Sequence, residues 1–313
     1  MDVPRTPVEI ITPREVPLGG PRAMTVRRTL PQRARSLIGA WCFVDHYGPD
    51  DVAETGGMVV PPHPHTGLQT VSWLFAGEVE HRDSGGVHAM VRPGEVNLMT
   101  AGHGVAHSEV STTATTLHGV QLWVALPDGS RDVPRTFEHH VPDPLAVPGG
   151  MLRVFLGSLA GVASPVRTCS PIIGAEVVLD PGARLELDVD PAYEHGLLVD
   201  TGSIGLESTV LVRGELGYTG VGAARLTLED LDGTGSRAVL IGGAPFGEEI
   251  VMWWNFVART HDEIVGMREQ WNARTERFGD VAGYAGTPSW LPAPDLPHVV
   301  LRPRVNAPNV VSA

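Results

Sequence analysis

Two short stretches carry residues that could do metal chemistry. "PPHPHTG" holds His63 and His65 two positions apart, and "GVAHSEV" holds His107 and Glu109 at the same interval. Successive side chains on a β-strand point to opposite faces, so an i, i+2 pair sends both groups to one side. Two such pairs on neighbouring strands of a small barrel would meet inside it. Three imidazoles and one carboxylate suit a divalent first-row metal in an octahedron, with two positions open to solvent or substrate. Open positions are what a catalytic site has and a structural site lacks. A lone H-x-H in a β-rich protein is more often a hydrogen-bonded or exposed pair, and the later H-x-E shifts the reading toward metal without closing it. Ten of the thirteen histidines precede residue 141, and no H-x-H follows it. Metal chemistry therefore belongs to the first half, and no second centre is expected.

The elements that must position these residues are short strands. Gly 37 and Pro 27 recur without a repeat period, and "AGE" (76–78), "DSGG" (83–86), "RPGE" (92–95), "TAGHG" (100–104) and "LPDGS" (126–130) are turn signals between apolar segments. That spacing is typical of a β-sandwich or barrel and not of βαβ units. In "QTVSWLF" (69–75), Val71, Trp73 and Phe75 share one face and Thr70 and Ser72 the other, the period of a strand half-buried on a core. From Pro127 to Gly150 the chain is rich in Pro, Asp and His and reads as a linker. Beyond it the strand rhythm resumes, as in a weak internal duplication. Thr260 three residues before Glu263 forms a capping box, and Ile264, Met267 and Trp271 continue at helical spacing to Gly279. This predicts an amphipathic helix lying on the second half, followed by a proline-rich extended tail.

Bulk composition sets outer bounds. At 313 residues, 42% hydrophobic and 19% charged, the chain has the profile of a globular protein large enough for two domains. A formal charge of -13 repels phosphate backbones and anionic lipid, so neither direct nucleic-acid binding nor membrane binding is expected. No apolar run approaches the roughly 18 residues that span a bilayer, and "MDVPRTPVEI" lacks the signature of a secretory signal. Cys42 and Cys169, far apart, suggest buried apolar residues and no disulfide framework. A cytoplasmic protein is the expectation.

Several longer motifs, "HPHTGLQTVSWLFAGEVEHRD", "RPGE", "MTAGHGVAHSE", "LHGVQLWVALP" and "GGAPFGEEIVMWWNFV", closely resemble the pirin family, a branch of the cupin superfamily. The resemblance implies an all-β bicupin: two stacked cupin barrels of the jelly-roll or double-stranded β-helix type, with a short C-terminal helix. It implies a metal-binding cupin domain over residues 1–140 and a metal-free cupin domain over 141–313, with the helix near 260–278. Carried over by motif, the metal ligands are His63, His65, His107 and Glu109, the set that strand parity also selects. The implied cofactor is one divalent metal, Fe(2+) first, with Mn, Ni, Co, Cu or Zn as alternatives.

Pirin relatives resemble quercetin 2,3-dioxygenases, which implies a flavonol-like aromatic substrate and O2, with Glu109 shifting between ligand and base. The alternative is a metal- or redox-responsive regulator that binds a transcription factor or a metabolic enzyme. The family leans toward monomers. Where relatives carry glutamate this chain has Gln69, read as a neutral donor sharing the strand parity of His65, and where many carry arginine it has His103, placed at the pocket mouth. His81 and His88 read as hydrogen-bonded loop residues, and Asp45 and His46 as structural. Trp73, Phe75, Met99 and Trp123 are core candidates whose inward members line the pocket, and "WWNF" (253–256) is a buried strand of the second barrel.

Overall fold

Alternating apolar and polar residues between closely spaced turns favour strands. The computed structural model describes residues 7–18, 24–112, 116–304 and 306, and it is 51% strand and 7% helix. In the first barrel the large sheet runs Thr136–His140, Val96–Thr100, Leu68–Ala76, Thr116–Ala125, Trp41–Asp51, Thr25–Leu30, Arg14–Pro17. Its small sheet runs Val59–His65, Val105–Ser111, Val79–Asp83, His88–Val91. The second barrel repeats the plan of seven strands against four. Its large sheet runs Glu9–Ile11, Leu216–Thr219, Glu194–Thr201, Ser236–Gly243, Ile172–Leu179, Gly150–Leu156, Leu145–Val147, and its small one Arg184–Asp188, Arg225–Asp230, Ser203–Leu206, Thr209–Val212. All these pairings are antiparallel. This is the two-barrel cupin architecture, with one strand exchanged: Glu9–Ile11, from the start of the chain, completes the second barrel by pairing with Leu216–Thr219. None of the helices among the described residues is long and apolar enough to cross a membrane.

The two large sheets stack face to face. Val71 and Trp73 from one strand, and Val120, Leu122 and Val124 from its neighbour, turn toward Phe155, Leu198, Val239 and Ile241 of the second barrel. Trp73 stacks on Phe155 at 4.7 Å, and Trp41 Nε1 donates to the Gly242 carbonyl at 3.0 Å. The predicted apolar face of "QTVSWLF" is thus the interface between barrels. The alternate positions, Ser72 and Gln121, hydrogen-bond to each other at 3.1 Å. Of the four aromatic or sulfur-bearing candidates for the pocket, only Trp123 lines it; Trp73 and Phe75 belong to the inter-barrel core, and Met99 to an apolar cluster beside the cavity.

Three expectations about placement need correction. The stretch 127–150 is not a linker throughout: Thr136–His140 pairs with Val96–Thr100 and Leu145–Val147 with Gly150–Leu156, so the chain crosses between sheets within 141–144. The helix, His261–Asn272, has the Thr260/Glu263 capping box and buries Ile264, Met267 and Trp271, but it ends at Ala273, before Gly279. It also packs on the first barrel. Phe256 bridges Thr66, Val257 N donates to the Thr66 carbonyl at 3.1 Å, and Thr66 Oγ1 donates to Met267 Sδ at 3.2 Å. "WWNF" comes with it.

The reason lies in the strand Val59–His65. With Pro61, Pro62 and Pro64 it lacks three backbone donors, and such a strand belongs at a sheet edge. It is the edge of its small sheet, and an exposed edge needs a cover. The segment after residue 250 supplies it, with Leu291 N donating to the Pro62 carbonyl at 2.8 Å.

Candidate metal centre

Val59–His65 and Val105–Ser111 are adjacent antiparallel strands with His107 directly opposite His63 and Val105 opposite His65. Strand parity turns all three imidazoles inward. One ring nitrogen from each of His63, His65 and His107 lies within 4.8 Å of the others, and His65 Nε2 and His107 Nε2 are 3.0 Å apart. His63 Nδ1 is 2.9 Å from the Pro61 carbonyl, which orients its ring. All three rings are buried, and burial penalises the cation. His63 is pushed down to about 4, and His65 and His107 fall well below the ordinary histidine range, with their neighbouring imidazoles adding to the effect of burial. Neutral imidazoles with converging lone pairs are the form that binds a metal. The backbone of Asn255 hydrogen-bonds to the His65 ring, whose Nε2 faces His107. The donor set fits a divalent cation.

Glu109 is placed differently from the three histidines. It lines the same cavity but is not within 4.8 Å of all three nitrogens. The pairing of the two strands shifts register between His107 and Glu109, which puts Glu109 opposite Val60. Burial raises the Glu109 carboxyl, opposed by His81 and by a hydrogen bond with Gln121.

Behind His107 lies a pair whose spacing repeats the signal of the first two. His81 and Asp83, again two apart, sit on Val79–Asp83, the other neighbour of the His107 strand. His81 Nδ1 is 3.4 Å from His107 Nδ1, and its Nε2 is 3.2 Å from Asp83 Oδ2. Asp83 Oδ1 accepts from the amides of Gly85 and Val87. Burial works to raise the Asp83 carboxyl, but these partners outweigh it and hold it below its usual range. His81 is therefore a buried strand residue and not a loop residue; the H-x-D spacing was the signal for it. His88 is exposed, on a strand, 2.7 Å from Glu80.

The cavity holds about 370 Å³. Phe43 and Trp123, stacked at 4.0 Å, form one wall, and Trp123 meets the His65 ring edge-on at 5.2 Å. Trp253, Trp254 and Leu291 close it from the covering segment. Gln69 does not reach it. Thr66 and Gly67 turn the chain from the small sheet to the large one, breaking the parity with His65, and Gln69 Nε2 donates to Thr100 Oγ1 at 2.9 Å. Gln121 occupies the cavity wall instead. His103 is exposed beside Asp132 and lines a separate groove along the helix, so it is not at the mouth.

A second buried group, His46, His118 and Asp200, bridges the barrels. Asp200 Oδ1 is 2.7 Å from His46 Nε2 and 2.6 Å from His118 Nε2, while Asp200 Oδ2 accepts from Arg237 Nε at 2.6 Å. Arg27 Nε donates to His46 Nδ1 at 3.3 Å. No sequence spacing announces this group, because its third member comes from the other barrel. Asp45, next to His46, is bound bidentately by Arg28.

Comparison with known proteins bears on both barrels. The family model described as Pirin matches residues 23–124, and that described as the Pirin C-terminal cupin domain matches residues 174–279. A Pseudomonas aeruginosa protein provisionally named a quercetin 2,3-dioxygenase is 44% identical over 289 residues, 92% of this chain and 90% of its own length. A pirin-like protein of Caulobacter vibrioides is 33% identical, over 82% of this chain and 91% of its own. The crystal structure of quercetin 2,3-dioxygenase from Acinetobacter baumannii aligns with a TM-score of 0.89 at 36% identity, covering 95% of this chain and 98% of that one.

Proposed function

The chain belongs to the pirin family, and on that premise we propose that it is a metal-dependent dioxygenase that opens a flavonol ring with dioxygen. One divalent metal would be held by His63, His65 and His107, with Glu109, which lines the same cavity, as the fourth ligand. Imidazoles with one hard oxygen suit iron(II), and manganese, nickel, cobalt, copper and zinc are the alternatives that metal analysis separates. When bound, the metal supplies a Lewis acid for the substrate oxygen and a redox centre for dioxygen. The observation that carries the reading is the convergence of three neutral imidazoles in a cavity with aromatic walls.

The remaining steps fall to the chain itself. Burial keeps the three imidazoles neutral, so they remain donors near neutral pH. Glu109 accepts the proton of the flavonol 3-hydroxyl; its raised carboxyl makes the protonated form accessible. Gln121 hydrogen-bonds to Glu109 and holds it in place. Phe43 and Trp123 offer a flat apolar face to a flat ring, and the covering segment excludes water from the reacting atoms. The division of labour runs between 1–140, which carries the centre, and 141–313, which backs and covers it.

The test is elemental analysis of protein purified without added metal, then oxygen consumption with quercetin and related flavonols. We expect about one equivalent of metal and flavonol-dependent uptake. A fully loaded sample that consumes no oxygen with any flavonol sinks the reading and leaves metal-responsive regulation as the better account.

A further inference from the structure

The mouth of the cavity carries charge that a neutral flavonol does not use. In a chain of net charge -13, three arginines, Arg14, Arg28 and Arg304, line this one cavity. Arg28 is neutralised by Asp45 at 2.6 and 2.7 Å and lies over Phe43 at 4.3 Å. Asp45 also feels the charge of Arg14, without pairing with it. Among the described residues, the Arg14 side chain donates to the Pro31 carbonyl at 3.1 Å and forms no ion pair, and no carboxylate pairs with Arg304. Arg14 and Arg304 line the same cavity, and burial first, then the like charge of Arg14, holds Arg304 below its ordinary range. Two cations that line one cavity attract an anion placed between them.

A second observation lies below them. Trp123 is buried, lines the cavity, and its Nε1–H has no acceptor. His65, Trp123, Phe43 and Arg28 follow one another at 5.2, 4.0 and 4.3 Å. A flat aromatic wall thus runs from the histidines to the arginines, with an unused donor along it.

We propose that the ligand of this cavity is a planar aromatic acid, its hydroxyl end toward the three histidines, its ring along Phe43 and Trp123, and its carboxylate between Arg14 and Arg304. The hydroxyl end rests on the dioxygenase reading; the carboxylate subsite does not. Arginine suits the role because its fork matches a carboxylate bidentately.

The experiment is calorimetric binding to metal-loaded protein of two probes: a flavonol, and the same flavonol carrying a carboxylate on the ring remote from the 3-hydroxyl. Each is measured with the wild-type chain and with Arg14→Gln/Arg304→Gln, whose altered side chains are on the surface, and with oxygen uptake recorded in parallel. The carboxylated probe is expected to bind about tenfold more tightly than its parent at low salt, the preference shrinking as salt rises and falling to near unity in the double variant. Equal affinity for the two probes in the wild type, or a preference that survives in the double variant, overturns the proposal. A preference that behaves as expected while neither probe supports oxygen uptake sinks the dioxygenase reading and leaves the anion subsite standing. Turnover of the parent flavonol with no preference between probes does the reverse.

Discussion

The two buried histidine groups contain similar residues in opposite electrostatic settings. In each, nitrogen or oxygen donors lie within 4.8 Å of one another. Between the barrels, every donor has an assigned partner: Asp200 takes both imidazoles on one oxygen and Arg237 on the other, and Arg27 contacts His46. A divalent cation there would sit within a few ångströms of two guanidinium groups, a repulsion on the order of several kcal/mol even at an effective dielectric of ~20. Inside the first barrel no arginine contacts the three rings among the described residues, their nitrogens converge on one another, and a cavity opens beside them. Proximity of ligand-type residues does not make a metal site. A divalent cation also needs free lone pairs without cationic neighbours.

The largest effect that would break this comparison is in metal content. His63→Ala or His107→Ala should take bound metal from about one equivalent to near zero, while His46→Ala and His118→Ala keep the full amount; elemental analysis of the four variants decides it, and loss of metal in His46→Ala would overturn the distinction. In stability the order inverts. Asp200→Ala strands two imidazoles and Arg237 in the interface and should cost about 3–5 kcal/mol in denaturant unfolding of the metal-free protein, several times the cost of His63→Ala.

Smaller effects sharpen the same contrast. Asp83→Asn removes the carboxylate that orients His81 behind His107 and should weaken metal affinity about 10–100-fold by chelator competition, with a modest change in melting temperature. His46, and His195 buried on Glu194–Thr201 of the second barrel, are both pushed down to about 4 by burial, from an unfolded value near 6.5. Between those values the unfolded chain binds more protons, so stability falls as pH drops from about 6.5 to 4, by up to about 1.4 kcal/mol per pH unit for each group. Melting curves across that window should show the decline; a flat profile would contradict the buried neutral histidines. The smallest expected effect belongs to His103→Arg, on an exposed residue remote from the cavity, which should change neither metal content nor oxygen uptake.

Much of the centre was legible because it depends on local geometry. Side-chain direction on a strand is set by two-residue periodicity, so His63, His65 and His107 could be aimed inward from spacing alone, and His81 with Asp83 could have been added by the same rule. Glu109 shows where the rule weakens: the register shift beside it moves its partner from the expected position to Val60, and its carboxylate stands apart from the three nitrogens. Gln69 failed because a turn at Thr66 and Gly67 intervenes where an unbroken strand was assumed. The helix was legible from its capping box, but its docking was not, since an amphipathic face specifies that it must be covered and not by what.

Residue alternation, turn spacing and the H-x-H and H-x-E pairs are properties of short stretches, and from them the β class, the half that carries the candidate centre and three inward imidazoles follow. Everything that sets charge around those residues comes from far along the chain. Asp200 reaches His46 from the other barrel, residues after 250 cover the strand of His63, and Arg14 and Arg304 reach one cavity from opposite ends of the sequence. Backbone geometry is local, whereas Coulomb fields and burial are summed over whatever the fold brings near. That sum, absent from any single stretch, separates the histidine group suited to a metal from the one that joins two barrels.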